Sequence, residues 1–336
     1  MKKHKICKIL LVILAIFLCV AFYELLGICV AYKKQPEVSN TTKKETKNGS
    51  WNECSENTER AVIIEKNPEA LLQRVRLIKN AKKEIILSTF AFQSDESGKL
   101  ILGALHDAAD RGVHIRLLVD GMESWIDMEG NPYFYGLSSH ENVEIKLYNK
   151  ANPLKPWKMM GRMHDKYLIA DGKRYILGGR NTYNYFLGDF PGHKNYDRDV
   201  LVVCDEPEKE NSVNQLLEYF ETIWEQEDSG YFHDNKKLAN RKSVKNAVLE
   251  LKNGYQKYFE ENKERICDTD YTDETFETEK IALVSNPIHT GSKEPVVWYQ
   301  LGELMKNAKE RVKIHTPYIT VSYTHLRAHE TDSYLV

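Results

Sequence analysis

The chain reads as an α/β fold, a mixed sheet flanked by helices, set behind an N-terminal transmembrane helix. Three observations in its 336 residues carry that reading. Short apolar runs alternate with amphipathic helix-length segments from residue 61 to residue 224, the pattern of a layered α/β domain. An almost unbroken apolar stretch fills Ile6 to Tyr32, interrupted by Lys8 and Glu24. Finally, Pro68–Thr89 recurs at an offset of 227 residues (295 − 68) as Pro295–Thr316, with Leu77, Lys79, Asn80, Ala81 and Lys82 matched by Leu304, Lys306, Asn307, Ala308 and Lys309. Such self-similarity marks a duplication, so one complete repeat followed by the start of a second is expected.

Taken in order, Ile9 to Tyr32 is long enough to cross a hydrocarbon core of about 30 Å, and no small-x-small cleavage site precedes Lys33. Residues 1–35 are therefore expected to form a single-pass membrane anchor, with Glu24 near a helix end or against a partner helix. Lysines flank the span on both sides; the short basic tail before it favours a globular part outside the cytoplasm. Residues 36–60, rich in Lys, Thr, Asn and Ser, read as a polar linker. The first repeat, 61–230, opens with a strand at Ala61–Glu65. Asn67-Pro68 then reads as a helix N-cap followed by proline at the first position, opening a helix to about Ala81. Strands follow at 84–92, 113–120, 143–148, 166–170, 174–177 and 200–204, with helices at 97–111 and 213–224. Residues 231–279 are a charged helical connector, and 280–320 the start of the second repeat. The last stretch, 321–336, resembles a translated sequencing-library adapter and is set aside as a technical tail, His325 and His329 included. On that reading the natural protein continues past Thr320.

Composition narrows the function classes. Forty-seven Lys and Arg against 49 Asp and Glu give a net charge of −2, which excludes a surface built throughout for nucleic acid but leaves room for a local basic site. With 42% hydrophobic and 29% charged residues, the chain is neither disordered nor fibrous. Six cysteines without a C-x-x-C pair argue against a disulfide scaffold or a structural zinc site.

The chemistry concentrates in Met163-His-Asp-Lys-Tyr-Leu-Ile-Ala-Asp171 and Gly178-Gly-Arg-Asn181, an H-x-K-x4-D pattern followed by G-G-x-N. Two apart, His164 and Lys166 project from one face of an extended strand. Lysine offers a point charge to phosphate oxygens, and histidine titrates near neutrality and can attack phosphorus or carry a proton. Asp171 sits past the strand end, where a carboxylate organises rather than reacts. Gly178 and Gly179 let the backbone approach closely, and Asn181 can donate to a phosphate oxygen. A surface hairpin turning at Asp171-Gly172 would explain the aspartate and glycine but not the His-x-Lys or Gly-Gly-x-Asn pairs.

These residues resemble the HKD motif of the phospholipase D superfamily, in detail its bacterial cardiolipin synthase branch. Asn152-Pro153-Leu154, Arg162-Met163-His164 and Gly178-Gly-Arg-Asn-x-x-x-Tyr-Phe186 carry the likeness. The resemblance implies a phospholipase D-like mixed sheet in which two motifs meet across a pseudo-twofold axis. It also implies that one histidine forms a phosphohistidine, that the other protonates the leaving alcohol, and that neither metal nor cofactor is needed. By the resemblance His164 is the nucleophile, and Lys166 and Asn181, with Gly178 and Gly179, hold the phosphate. Asp171 is structural, and Asp197 orients the histidine, with Asp199 as the fallback. No second H-x-K-x4-D occurs in the chain; the repeat offset places it near position 391 (164 + 227). Alone, this chain is expected to be inactive unless two copies dimerise.

The motif does not choose the substrate. The anchor puts the site beside a bilayer, and Trp157, Met159 and Met160 with Lys155 and Lys158 form an apolar, basic loop just before the motif. Membrane phospholipids are the expected partners rather than nucleic acid. The expected reaction is phosphatidyl transfer from phosphatidylglycerol to a second lipid head group. A membrane-tethered nuclease and a non-catalytic lipid-binding protein are the alternatives.

Overall fold

The computed structural model describes residues 2–34, 36–49, 59–204, 211–233, 235–279 and 281–314. They divide into two units, 1–296 and 297–336. The first opens with helix α1 (Lys2–Tyr32), whose segment Ile6–Tyr32 is long and apolar enough to cross a membrane. Residues 36–60 are not wholly a linker. They contain α2 (Asn40–Asn48), capped by the Ser39 side chain and closed by Gly49 in the left-handed region. Glu294 braces it, accepting from Ser39 N and Thr42 Oγ1 at 2.9 and 2.7 Å. A polar run becomes helical here because both ends are capped and one side is held.

The body of the unit runs β1 (Glu59–Ile64), α3 (Asn67–Asn80), β2 (Glu84–Thr89), α4 (Glu96–Asp110), β3 (His114–Asp120), α5 (Glu123–Asp127), α6 (Pro132–Ser138) and β4 (Val143–Tyr148). It continues with β5 (Tyr167–Ala170), β6 (Arg174–Gly178), β7 (Asp199–Cys204), α7 (Ser212–Trp224), β8 (Ser229–Tyr231), α8 (Lys242–Glu261), α9 (Lys263–Cys267) and β9 (Phe276–Glu277). The strands form one sheet in the order β8-β4-β3-β2-β5-β6-β7-β1-β9. Strands β2, β3 and β4 are parallel, and β5 turns antiparallel against β2. This is the mixed α/β sheet flanked by helices that the sequence predicts.

Both faces are covered, which explains why the central strands read as continuous apolar runs. Ile85 and Leu87 pack with Leu71, Val75, Ile101 and Leu105 of α3 and α4 on one face. Between them, Ile86 points the other way, into a cluster with Leu216, Phe220 and Trp224 of α7. Alternation along a single strand thus feeds two cores.

Three expectations change. Asn67 is not the N-cap: Lys66 takes that position without a side-chain bond, and Asn67 lies inside α3. Its side chain instead donates to Asn195 O at 3.0 Å and accepts from Arg180 Nε at 3.2 Å, tying loops that flank the site. The strand placed at 84–92 ends at Thr89, because Asn181 Oδ1 takes the Ala91 N–H and pulls the chain out of the ladder. Residues 231–279 are helical but are not a free connector. Val244, Leu251 and Tyr255 of α8 join the core over α4, β8 pairs with β4, and β9 pairs with β1. Arg76 fastens the end of that segment, donating to Asp268 O, Asp270 O and the Glu274 carboxylate.

The second compact unit begins at Val297. Residues 281–296 stay with the first unit because α7 holds them: Leu283 N donates to Gln215 Oε1, and Gln226 Nε2 to Ile288 O. Helix α10 (Val296–Asn307) ends at the counterpart of Asn80 under the 227-residue offset. Thr316 and the segment 321–336 lie outside the described residues.

Candidate active site

The parallel strands β2, β3 and β4 end at the same edge of the sheet where β5 and β7 begin and β6 ends. Loops beyond the carboxyl ends of parallel strands are where α/β sheets place their ligands. That edge collects Phe90, Asp120, His164, Lys166, Gly178, Gly179, Asn181 and the segment around Asp197.

His164 is exposed, and its ring lies 4.7 Å from that of Phe90. Partial desolvation, and then the neighbouring Lys166 charge, lower its pKa. Lys166 is buried just ahead of β5, with Nζ donating to the His164 carbonyl at 2.6 Å and lying 5.3 Å from the Phe90 ring centre. Desolvation pushes its pKa down to about 8, against the pull of Asp165, Asp197 and Asp120. The two motif side chains therefore share the Phe90 platform, although both precede β5 rather than lying on a strand.

Gly178 N donates to Lys166 O at 3.1 Å, joining the two halves of the motif. A Cβ on Gly179 would sit 2.0 Å from Asp197 Oδ2, so only glycine admits that carboxylate. Gly178 is equally crowded, by Asp199 Oδ1 and Arg198 O. Asn181 is buried, and its amide is engaged by Ala91 N and Tyr183, so it braces the Phe90 platform from below.

The two candidate acids separate. Asp199 is fully buried between Arg74 and Arg180, at 2.9 and 3.2 Å, and is consumed by that pairing. Asp197 stands against Gly179 and within electrostatic reach of Lys166. Asp171 lies at the other end of β5 from His164, roughly 20 Å away at the usual strand rise of about 3.3 Å per residue. Its carboxylate accepts from the backbone N–H groups of Lys82, Lys83 and Glu84 at 2.7–3.1 Å, so the structure removes it from the reacting end.

Several residues at this edge carry no local sequence signal. Asp120, fully buried at the end of β3, accepts from Met163 N at 3.0 Å and from Arg162 Nη1 at 3.1 Å, fixing the backbone one residue before His164. Burial raises its pKa despite the arginine. Arg180, the variable position of G-G-x-N, is buried and donates to Asn67 Oδ1, Ile64 O, Glu65 O and Asp197 O, so it sets where Asp197 stands. Asp165 accepts from Tyr219 Oη at 2.7 Å, and burial raises its pKa. Lys293, 129 residues past the motif histidine (293 − 164), contacts Arg162 O at 3.4 Å and feels Asp165 and Asp120. Finding any of these requires the fold, since what links them to His164 is pairing across strands.

Residues 74–224 match the family described as cardiolipin synthase, PLD-like domain. With the His-x-Lys pair and the Gly-Gly-Arg-Asn turn brought to one sheet edge, residues 74–224 form a domain like those of the phospholipase D superfamily. The chain is 29% identical over 171 residues to cardiolipin synthase C of Escherichia coli (strain K12), covering 47% of this chain and 34% of that protein. An uncharacterized protein of Helicobacter pylori (strain J99 / ATCC 700824) is 30% identical over 212 residues, 59% of this chain and 39% of its own. The chain thus spans about two fifths or less of the length of these relatives. Among solved structures, phosphatidylserine synthase from Haemophilus influenzae Rd KW20 aligns with a TM-score of 0.46 at 16% identity, over 66% of this chain and 48% of that one.

Proposed function

We propose that the protein is a membrane-anchored phosphatidyltransferase of the cardiolipin synthase kind, with His164 as nucleophile. The observation that carries the reading is the imidazole of His164 standing exposed beside buried Lys166 on one aromatic platform. A free imidazole nitrogen with its lone pair available is what attack on phosphorus needs, and Lys166 beside it offsets charge on the phosphoryl oxygens.

In the first step the His164 nitrogen bonds to the phosphorus of phosphatidylglycerol, and the phosphorus–oxygen bond to the glycerol head group breaks. The leaving oxygen takes a proton from a second histidine, supplied by a second repeat of this fold or a second copy of the chain. In the second step the hydroxyl of another phosphatidylglycerol head group gives its proton back to that histidine and attacks phosphorus. The nitrogen–phosphorus bond then breaks, and cardiolipin leaves. Asp197, positioned by Gly179 and Arg180, is the acid available to steady the imidazole; Asp120 holds the backbone behind it. Near-zero net charge and the apolar N-terminal helix favour a lipid over a nucleic acid as donor.

The test is cardiolipin formation from phosphatidylglycerol vesicles by the full chain, alone and with any second repeat its gene encodes, against His164→Ala. Removal of the nucleophile is expected to lower turnover by ~10³-fold or more. Unchanged turnover overturns the assignment of His164. Metal-independent DNA cleavage without cardiolipin formation overturns the lipid reading.

A further inference from the structure

The end of the sheet that carries His164 also carries an uncommon concentration of bare apolar side chains. Trp125 and Ile126 on α5, and Leu154, Trp157 and Met160 on the loop entering the motif, are all exposed, from 45% at Trp157 to 77% at Leu154. Away from this end, the exposed apolar groups of the sheet and its helices include Ile63 on β1, Leu249 on α8 and Phe276 on β9. Single exposed apolar residues need no explanation; five on two loops at one edge do.

Between these loops lies a cleft of about 190 Å³. Met122, which leads into α5, lines it together with Lys150, Lys155, Lys158 and Arg162 from the motif-entry loop, and with Glu227 and Asp228. Lys158 is paired with Asp228 and Arg162 with Asp120, which leaves Lys150 and Lys155 against Glu227, so the cleft leans towards an anion although the whole chain is slightly acidic.

The N-terminal helix fixes the height of this edge. At 1.5 Å per residue, about 20 residues cross a hydrocarbon core of about 30 Å, so a span starting at Ile6 leaves the core near Leu25. At that level α1 meets the motif-entry loop. Tyr23 Oη donates to Leu154 O at 3.0 Å, and Gly27 packs so closely on Pro156 that a Cβ there would lie 2.4 Å from Pro156 Cγ. One turn further on, Tyr32 Oη donates to Thr290 O at 2.6 Å. The loop bearing Leu154, Trp157 and Met160 is therefore held where the helix passes from acyl chains to head groups. Tryptophan and leucine beside lysine is the composition that settles at that boundary.

We propose that the site-bearing end of the sheet rests in the interface of an anionic bilayer, with Trp125, Ile126, Leu154, Trp157 and Met160 inserted and the basic cleft over lipid phosphates. The inference deepens the membrane part of the function proposed above, and it does not depend on turnover. It gives the active site a direction: His164 opens towards lipid, so a head group reaches it without the lipid leaving the membrane.

The full chain is reconstituted in vesicles of phosphatidylglycerol and phosphatidylcholine, the latter brominated in its upper acyl chain, and tryptophan fluorescence is read. The chain has five tryptophans, so the parent is compared with Trp125→Phe, Trp157→Phe and the double variant. The double variant is expected to lose at least about half of the bromine quenching, and each single variant part of it. Replacing phosphatidylglycerol by unbrominated phosphatidylcholine, with the brominated fraction held constant, is expected to reduce quenching of the two rim tryptophans about twofold. Undiminished quenching in the double variant overturns the insertion. Equal quenching in neutral vesicles overturns the anionic preference. Because quenching needs no catalysis, insertion without cardiolipin formation even when the second repeat is supplied defeats the phosphatidyltransferase reading and leaves this one standing.

Discussion

His164 and Lys166 are both held below their ordinary basicity, and the two shifts bound a working range of pH. Desolvation and the lysine charge lower the histidine, so its free-base form persists somewhat below the usual value of about 6.5. Lys166 is pushed down to about 8, so it keeps its charge below that pH and loses it above. In the proposed mechanism attack needs a pH above the histidine value, and phosphate holding needs one below the lysine value. The expected profile of kcat/KM is a bell with an acid limb below pH 6.5 and an alkaline limb near pH 8. Lys166→Arg, which stays charged throughout, should carry activity through the alkaline limb even if its maximum is reduced. An alkaline limb unmoved in that variant would assign it to another group. The neighbouring carboxylates divide their work on equally local grounds. Asp199 is spent on Arg74 and Arg180, whereas Asp197 is placed against Gly179 by the Arg180 guanidinium.

Among the elements, the β5–β6 hairpin shows how a motif residue can belong to the fold rather than the chemistry. Asp171 and Gly172 both have positive φ, 55° and 63°, the conformation of a tight hairpin turn. The aspartate adds a clamp on the backbone where α3 hands over to β2. Asp171→Ala removes the acceptor for three N–H groups, two of them exposed and able to turn to water. It should cost about 1–2 kcal/mol of stability, read as a melting temperature several degrees lower. Activity per folded molecule should be unchanged; a large loss of kcat at unchanged stability would return Asp171 to the reacting site. The central strands were legible in the sequence because burial on both faces demands unbroken apolar runs, as at Ile85–Leu87 and Ile115–Val119. Helix α2, the two-residue strand β9 and the three-residue β8 were not. They are short or polar and owe their form to partners such as Glu294, Glu59 and Leu147, far along the chain. The site was legible in the same uneven way. His164, Lys166, Gly178, Gly179 and Asn181 announce themselves by spacing, whereas Asp120, Arg180 and Lys293 reach the motif only through the folded sheet.

On the scale of the whole molecule, the N-terminal helix is built into the end of the sheet that carries the motif and is more than a tether. Its last turns touch two segments at once. Tyr23 and Gly27 meet Leu154 and Pro156 of the motif-entry loop, while Tyr32 and Ala31 O meet Thr290 and Ser292. Thr290 in turn lies where a Cβ on Gly161 would be, 2.4 Å from its carbonyl oxygen, and Lys293 reaches Arg162 O. Arg162 and Met163 are pinned to Asp120, and His164 follows. A displacement of the helix is thus passed through packed backbone to the motif-entry loop, while Arg162 and Met163 stay pinned to Asp120. Gly27→Leu tests this connection without altering any polar group of the site. The new side chain meets Pro156 and must push the loop off the helix, while the span keeps its length and gains hydrophobicity, so insertion into the membrane is retained. Transfer from phosphatidylglycerol in vesicles should fall several-fold. Turnover of a short-chain phosphatidylglycerol that dissolves as a monomer should change little, because the His164–Lys166 pair and its Phe90 platform remain assembled. Equal activity of parent and variant on vesicles would reduce α1 to an anchor. An equal fall on both substrates would mean that the loop holds the nucleophile itself rather than its place at the membrane.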